Sequence, residues 1–366
     1  MSGLTRQVLT GAPHERGVRH GESYAAEIDH NVGTYLDVFE TRGVDTDRVR
    51  ERAAAFIPRL EADNADYAEE MAGVAAGSDR PIEEIALINL RYEVMYDAYT
   101  DGSERPAATD EMVDGCTSCG VEPKASADGH TYIGQNWDWL PAVETFVMDV
   151  RRDDGPNFLA VTEAGMVGGK FGLNECGIGY VVNGLATPRD GENPSRKPTH
   201  VRGREILDAE RLDTAIEPVI ATDRPGSRNY LIGHANGELL DLETAPEVVN
   251  YRYPENGLLT HTNHFEDRTR VESRLERRSP HSLVRGMRVR RLLEREVGSI
   301  DPDTLKRTLR DDFCHPTGIC RYVTESEDAQ ADFHTKVSVI MDLNEGRMAL
   351  TDGPPRDATY ETYQVA

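Results

Sequence analysis

Asp114-Gly115-Cys116-Thr117-Ser118-Cys119 stands where the chain changes character. Immediately upstream, residues 101–115 (DGSERPAATDEMVDG) are polar, contain Gly and Pro, and carry no sustained apolar period, so they read as a loop or linker. Immediately downstream, short strands begin. A thiol following a glycine at such a junction has its own chemistry. Gly115 has no side chain to keep the Cys116 thiol from the preceding carbonyl, and a strained turn there favours transfer of the acyl group from nitrogen to sulfur. Hydrolysis of that thioester would leave Cys116 as a new N-terminus, and its α-amine, with an unperturbed pKa of about 8, could serve as base for its own thiol. Plainer readings compete. Cys is most often a small buried hydrophobe, and Cys116-x2-Cys119 has the spacing of half a zinc site. The other half is missing, because Cys314 and Cys320 form no second tight pair even with His315 adjacent.

Upstream of the junction, residues 13–100 read as helical. Val18, Tyr24, Ala25, Ile28, Val32, Tyr35, Leu36 and Phe39 recur at spacings near three and four. A second helix is expected from Asp47 to Gly73, and a third after Ser78 or Asp79, with Pro81 suited to its first turn. Downstream, strands are expected at Thr131–Gln135, Thr145–Val150, Phe158–Thr162, Ile178–Val182, Asn229–Gly233 and Leu239–Leu242, the last two joined through Asn236-Gly237. Helices interrupt at about 200–222 and 280–313, and a hairpin of Val337–Asp342 with Arg347–Thr351 closes the pattern. The loops 187–199 and 263–281 read as solvated insertions. Strands, then helices, then strands indicate an α+β chain with sheets packed face to face and helices outside.

Composition limits the partners. With 65 acidic against 41 basic residues and a formal net charge of −24, the chain repels nucleic acid and anionic membrane surfaces, both of which require clustered cations. Only five of the 41 bases are Lys. An acid-rich, Lys-poor surface of this kind is expected to be halophilic, because at about 1 M salt the Debye length falls to about 3 Å and self-repulsion is screened. The melting temperature should therefore rise with KCl from dilute buffer to multimolar concentration; a melting temperature that is flat or falls would make this an ordinary acidic protein. The odd, scattered cysteines argue against a disulfide framework. The N-terminal stretch lacks the apolar core of a secretory signal and no segment reaches a membrane-spanning length, so a cytoplasmic location is expected.

Gly134-Gln135-Asn136-Trp137-Asp138, Thr162-Glu163-Ala164-Gly165, Gly172-Leu173-Asn174, His261-Thr262-Asn263-His264 and Ile319-Cys320-Arg321, taken in order with the Asp114–Ser118 motif, resemble the isopenicillin-N acyltransferase family of self-processing N-terminal-nucleophile hydrolases. The likeness runs from Gly17-x-x-His20-Gly21 to Asp342. It implies an αββα sandwich with a helical N-terminal segment, and maturation by a break between Gly115 and Cys116. The products would be residues 1–115 and 116–366, two associated subunits of one unit.

The resemblance makes Cys116 both the maturation and the catalytic nucleophile, Asn263 an oxyanion donor, and the backbone N–H of Asp138 a second donor. Asp138 and Arg321 match positions that orient the nucleophile and the substrate pocket. An Arg fork can hold a carboxylate bidentately, whether that of Asp138 or of a substrate. Thr117 and Ser118 are supporting hydroxyls or simply strand residues. His261 and His264 invite a Cys-His dyad but rank behind the α-amine as base. Asn183 fits a pocket strand or a turn equally well. The expected substrate is a small amide or acyl thioester, with no cofactor and no metal; the choice between hydrolysis and acyl transfer, and any homo-oligomer, stay open. An uncleaved homologue that only binds small amides and a Cys/His metal-binding protein are the remaining alternatives.

Overall fold

The apolar spacing between Val18 and Phe39 forms two helices, α1 (Pro13–Ser23) and α2 (Ala25–Thr41), with Pro13 in the first turn. The structure, a computed structural model, describes residues 3–98, 115–322 and 333–366; Asp114 and the rest of the expected linker before Gly115 lie outside these. The segment expected as one helix from Asp47 is two, α3 (Thr46–Asp63) and α4 (Ala65–Ser78). Asn64 divides them: its extended backbone ends α3, and its side chain accepts from the Tyr67 N–H to cap α4. α5 (Ile82–Ala98) follows. Helices α1 and α4 meet backbone to backbone. A Cβ on Gly17, Gly21, Gly73 or Gly77 would fall 1.9–2.4 Å from a carbonyl oxygen of the opposing helix. The segment before Cys116 is not purely helical, however, since β1 (Arg6–Thr10) adds a parallel edge strand alongside β4 (Thr145–Arg151).

After Gly115 come β2 (Thr117–Val121), β3 (Tyr132–Trp139), β5 (Phe158–Glu163), β6 (Phe171–Asn174), β7 (Ile178–Gly184), β8 (Arg228–His234), β9 (Leu239–Ala245), β10 (Val248–Arg252), β11 (Leu258–His261), β12 (His334–Asp342), β13 (Arg347–Asp352) and β14 (Glu361–Gln364). They form an eight-stranded sheet, ordered β1-β4-β5-β6-β7-β8-β9-β10, and a six-stranded sheet, ordered β11-β2-β3-β12-β13-β14. The inner faces touch along β2, β3, β7 and β8: Ser118 Oγ donates to Asn183 Oδ1 at 2.8 Å and Gln135 Nε2 donates to the Val182 carbonyl at 2.7 Å. Helices α1–α5, with α6 (Thr199–Leu207) and α7 (Leu212–Ile220), lie on the eight-stranded side. Helices α9 (His281–Glu294) and α10 (Pro302–Leu309), the latter capped by Asp301, cover the six-stranded side; the short α8 (Leu275–Arg278) precedes them. The result is the αββα sandwich that the resemblance implied.

Several residues of the shared motifs prove to be architectural. Asn136 donates from Nδ2 to the Leu309 and Ile319 carbonyls, both at 2.8 Å. Asn174 does the same to Leu207 and Ala209 at 3.0 and 2.7 Å. His20, buried and held neutral with its pKa lowered to about 3 by desolvation, accepts the Gly165 N–H on Nε2. Glu163 joins Arg91 at 2.6 Å, with both side chains fully buried, and accepts the Tyr35 hydroxyl. Losing one partner of such a pair typically costs about 3–5 kcal/mol. The His20 and Glu163 contacts tie the first 98 residues to the sheets, while Asn136 and Asn174 fasten the ends of α10 and α6. The loop 263–281 is a solvated insertion only in part: Arg268, Thr269, Arg270, Glu272 and Arg274 are exposed, but other residues pack inward. Asn263, Phe265, Ser273 and Leu275 are buried, because Glu243 accepts the Glu266 and Asp267 N–H groups at 2.6 and 3.1 Å and draws the loop onto the sheet.

Candidate active site

Gly115 and Cys116 immediately precede β2, and both are buried. The alternation of β2 sends Cys116 into the core shared by the two sheets and Cys119 into the separate core beneath α9 and α10. The half-zinc spacing is thereby pulled apart, and burial pushes the Cys119 thiol up to about 12. Among the described residues no group of three or more His, Cys, Asp or Glu side chains is placed to hold a metal ion.

The glycine at 115 has a steric reason. A Cβ there would lie 2.0 Å from Arg321 Nη1 and 3.0 Å from Asp138 Oδ2, so any side chain would have to displace the guanidinium. Asp138 is fixed from its other oxygen, Oδ1, which accepts from Thr335 Oγ1 at 2.8 Å. Thr335 Oγ1 in turn accepts the Arg321 N–H at 3.0 Å. Arg321 Nε stands 3.9 Å from Asp138 Oδ2. Of the two partners open to Arg321 in the sequence, Asp138 is thus the one beside it, and both groups press on Gly115.

Asn263 is the second residue after β11 and is held through its backbone N–H and both polar side-chain atoms. Its backbone N–H donates to Ser282 Oγ at 2.9 Å, its Oδ1 accepts from Arg285 Nη2 at 2.8 Å, and one Nδ2 hydrogen goes to the Gly184 carbonyl at 3.1 Å. Because Arg285 can only donate, Oδ1 must face it, and the amide cannot flip. A second Nδ2 hydrogen remains. Arg285 itself was not singled out from the sequence. It is buried on α9, and Nη1 also donates to the Cys116 carbonyl at 2.6 Å and to Thr117 Oγ1 at 2.9 Å. Desolvation pulls its pKa down to about 10 although Asp138 supports its charge. One guanidinium therefore links Cys116, Thr117 and Asn263. The only sequence signal was an Arg at i+4 from His281 on a basic helix, indistinguishable from surface arginines nearby.

The histidines nearby are engaged in contacts of their own. His261 has Nδ1 2.8 Å from the Thr262 carbonyl and Nε2 2.9 Å from Glu243. Two acceptors require two ring protons; burial opposes the charge, but Asp241 and Glu243 hold the pKa above its ordinary value. His264 packs its Nδ1 against Ser282 Oγ and Thr262 Oγ1 at 2.9 and 3.1 Å. His281 is kept neutral, near 3, by burial and the charges of Arg285 and Arg321, and it accepts from Arg285 Nε at 3.4 Å. The structure thus gathers Gly115, Cys116, Thr117, Asp138, Asn263 and Arg321 around Arg285, while Ser118 turns to Asn183 between the sheets.

A family model described as acyl-coenzyme A:6-aminopenicillanic acid acyl-transferase matches residues 125–357. An acyl-coenzyme A:6-aminopenicillanic-acid-acyltransferase from Emericella nidulans is 25% identical over 322 residues, covering 87% of this chain and 84% of that protein. Among solved structures, an N-acylethanolamine-hydrolyzing acid amidase ortholog from Caenorhabditis elegans matches with 14% identity and a TM-score of 0.47, over 69% of this chain and 100% of that one. A variant of conjugated bile acid hydrolase from Clostridium perfringens matches with 14% identity and a TM-score of 0.46, over 69% of this chain and 97% of that one.

Proposed function

The chain belongs to the acyl-coenzyme A:6-aminopenicillanic acid acyl-transferase family, and on that premise, which makes it an acyltransferase or amidase, we propose that it cuts itself between Gly115 and Cys116 and then works through a Cys116 thioester. The observation that carries this reading is the convergence of Asp138, Arg321, Arg285 and Asn263 on a buried Gly115–Cys116 step. In maturation, Cys116 Sγ attacks the Gly115 carbonyl carbon, the C–N bond breaks, and the released nitrogen takes a proton to become the Cys116 α-amine. Water then hydrolyses the Gly115 thioester. The two segments, 1–115 and 116–366, stay together because β1 remains paired with β4 and Glu163 with Arg91.

In turnover, the α-amine takes the thiol proton as sulfur attacks the substrate carbonyl. The oxyanion receives the remaining Asn263 Nδ2 hydrogen and the Asp138 backbone N–H. Collapse expels the amine or thiol leaving group, which takes its proton from the α-ammonium. Water or a second amine then accepts the acyl group, according to how far the pocket excludes water. Asp138, beside Gly115, is placed to hold the new α-ammonium. The substrates are small amides or acyl thioesters. Among the described residues no helix is long and apolar enough to cross a membrane.

Acid quenching of processed protein during turnover of a simple amide tests the thioester. The 116–366 fragment should gain the acyl mass on Cys116 and lose it to hydroxylamine; an unmodified fragment under conditions of steady turnover would rule the thioester out.

A further inference from the structure

Arg285 lies in the first half of α9, only 1% exposed, and its four hydrogen-bond partners are uncharged. They are the Cys116 carbonyl, the Thr117 hydroxyl, the Asn263 amide oxygen and the ring of His281, which burial keeps neutral. Asp138 supports the charge without a hydrogen bond to it. A cation met by neutral dipoles is costly to bury. If this side chain had only to fill space, an apolar one of similar volume would do so at no loss of stability.

What the guanidinium adds is a bridge across the site. Nη1 holds the Cys116 carbonyl at 2.6 Å and Nη2 holds Asn263 Oδ1 at 2.8 Å. Both nitrogens belong to one rigid plane, so residue 116 and the Asn263 amide keep a fixed relation to each other. His281, one turn earlier on α9, accepts from Nε at 3.4 Å and steadies that plane. Residue 116 itself precedes the β2–β3 ladder, whose first pair is Thr117 with Asn136.

The two reactions of Cys116 make different demands on this bridge. In self-cleavage the thiol and the Gly115 carbonyl belong to one chain, joined through the nitrogen and Cα of residue 116, so covalent geometry already brings them together. Arg321 and Asp138 crowd Gly115 as well. Once the Gly115–Cys116 bond is broken, residue 116 is a chain end, and the carbonyl to be attacked belongs to a separate molecule. We propose that Arg285 is a positioning residue for turnover: it sets the Cys116 thiol against the Asn263 donor after cleavage, and self-cleavage depends on it far less. Its cationic N–H also polarises the Asn263 amide and so strengthens Nδ2 as a donor. The inference rests on the Cys116 reading above.

Arg285→Lys and Arg285→Ala test it, with self-cleavage followed by intact mass and turnover by the opening of hexanoyl 4-nitroanilide and S-phenyl thiohexanoate. Lysine keeps the charge but has one nitrogen, which cannot hold both acceptors in a plane. In each variant self-cleavage should slow by less than about tenfold, while kcat falls by about a hundredfold with KM changed by less than about threefold. Methylguanidinium in solution should restore part of kcat in Arg285→Ala and none in Asn263→Ala, a recovery that a residue needed only for folding would not show. Arg285→Met, whose stem fills more of the space, replaces an alanine variant that does not melt cooperatively and is judged on the split between cleavage and kcat. Lysine that keeps most of kcat, cleavage lost as fully as turnover, or an alanine variant that methylguanidinium leaves unmoved would each overturn the inference while the Cys116 chemistry stands. Wild type that does not cleave, or that cleaves and opens neither compound, fails the Cys116 reading itself, and the inference falls with it.

Discussion

Freshly purified wild-type protein, kept in multimolar KCl, is expected to separate under denaturing conditions into two fragments beginning at Met1 or Ser2 and at Cys116, which co-purify before denaturation. Cys116→Ala should remain one chain at full mass and lose turnover by a factor on the order of a million, the size seen when a catalytic nucleophile is deleted. The substitution is small, and alanine keeps the buried backbone carbonyl that accepts from Arg285, so the fold should survive. Cys116→Ser separates the two reactions performed by one atom. A hydroxyl can attack the Gly115 carbonyl slowly when Arg321 and Asp138 crowd that glycine. Its weaker nucleophilicity at neutral pH should leave little turnover of external amides. Intact mass and N-terminal sequencing read the first reaction, and amide turnover reads the second. Wild type that stays at full mass after prolonged incubation, while Cys116→Ala turns over amides as well as wild type does, would refute both roles and put the non-catalytic binding reading in front.

Local patterns carried the layers and singled out Cys116 as a candidate, and missed what is made by distant residues meeting. Apolar spacing located the stretch α1 to α5, but not the breaks at Tyr24 and Asn64; a capping side chain such as that of Asn64 looks like any polar helix residue until the backbone turns. Strands β6, β10, β11 and β14 have four or five residues each, too short for period-two alternation to emerge, and β1 is visible only through its pairing with β4. At the site, Cys116, Asp138, Asn263 and Arg321 were named from a resemblance of ordered motifs. Arg285 was not. Its importance comes from contacts spanning 169 residues to Cys116 and 22 to Asn263, which no local window contains. Conversely, Asn136, Asn174 and Glu163 lie in the same motifs but hold the architecture, so motif membership alone did not separate chemistry from structure. The polar composition of loop 263–281 fits its exposed residues, but not Asn263, Phe265, Ser273 and Leu275, which are buried where the loop is anchored on Glu243 through two backbone N–H groups.

Asn263 offers the next largest effect. Asn263→Ala should fold and lose turnover by about two to three powers of ten, roughly 2.7–4 kcal/mol of transition-state stabilisation. The loss should fall on kcat, because the donor meets full negative charge only as the tetrahedral oxyanion forms. Alanine also abandons Arg285 Nη2 and the Gly184 carbonyl, so disturbed positioning would give a similar number. Asn263→Asp resolves this. A carboxylate keeps the acceptor for Arg285 and strengthens that contact, but it has no N–H to give and sets a negative charge where the oxyanion must develop. If Asn263 acts as a donor, Asp should be at least as poor as Ala although its Arg285 contact is intact. If Asn263 merely steadies Arg285, Asp should recover most of the activity. Near-normal kcat in both variants, with protein that melts like wild type, would mean that the oxyanion is held elsewhere.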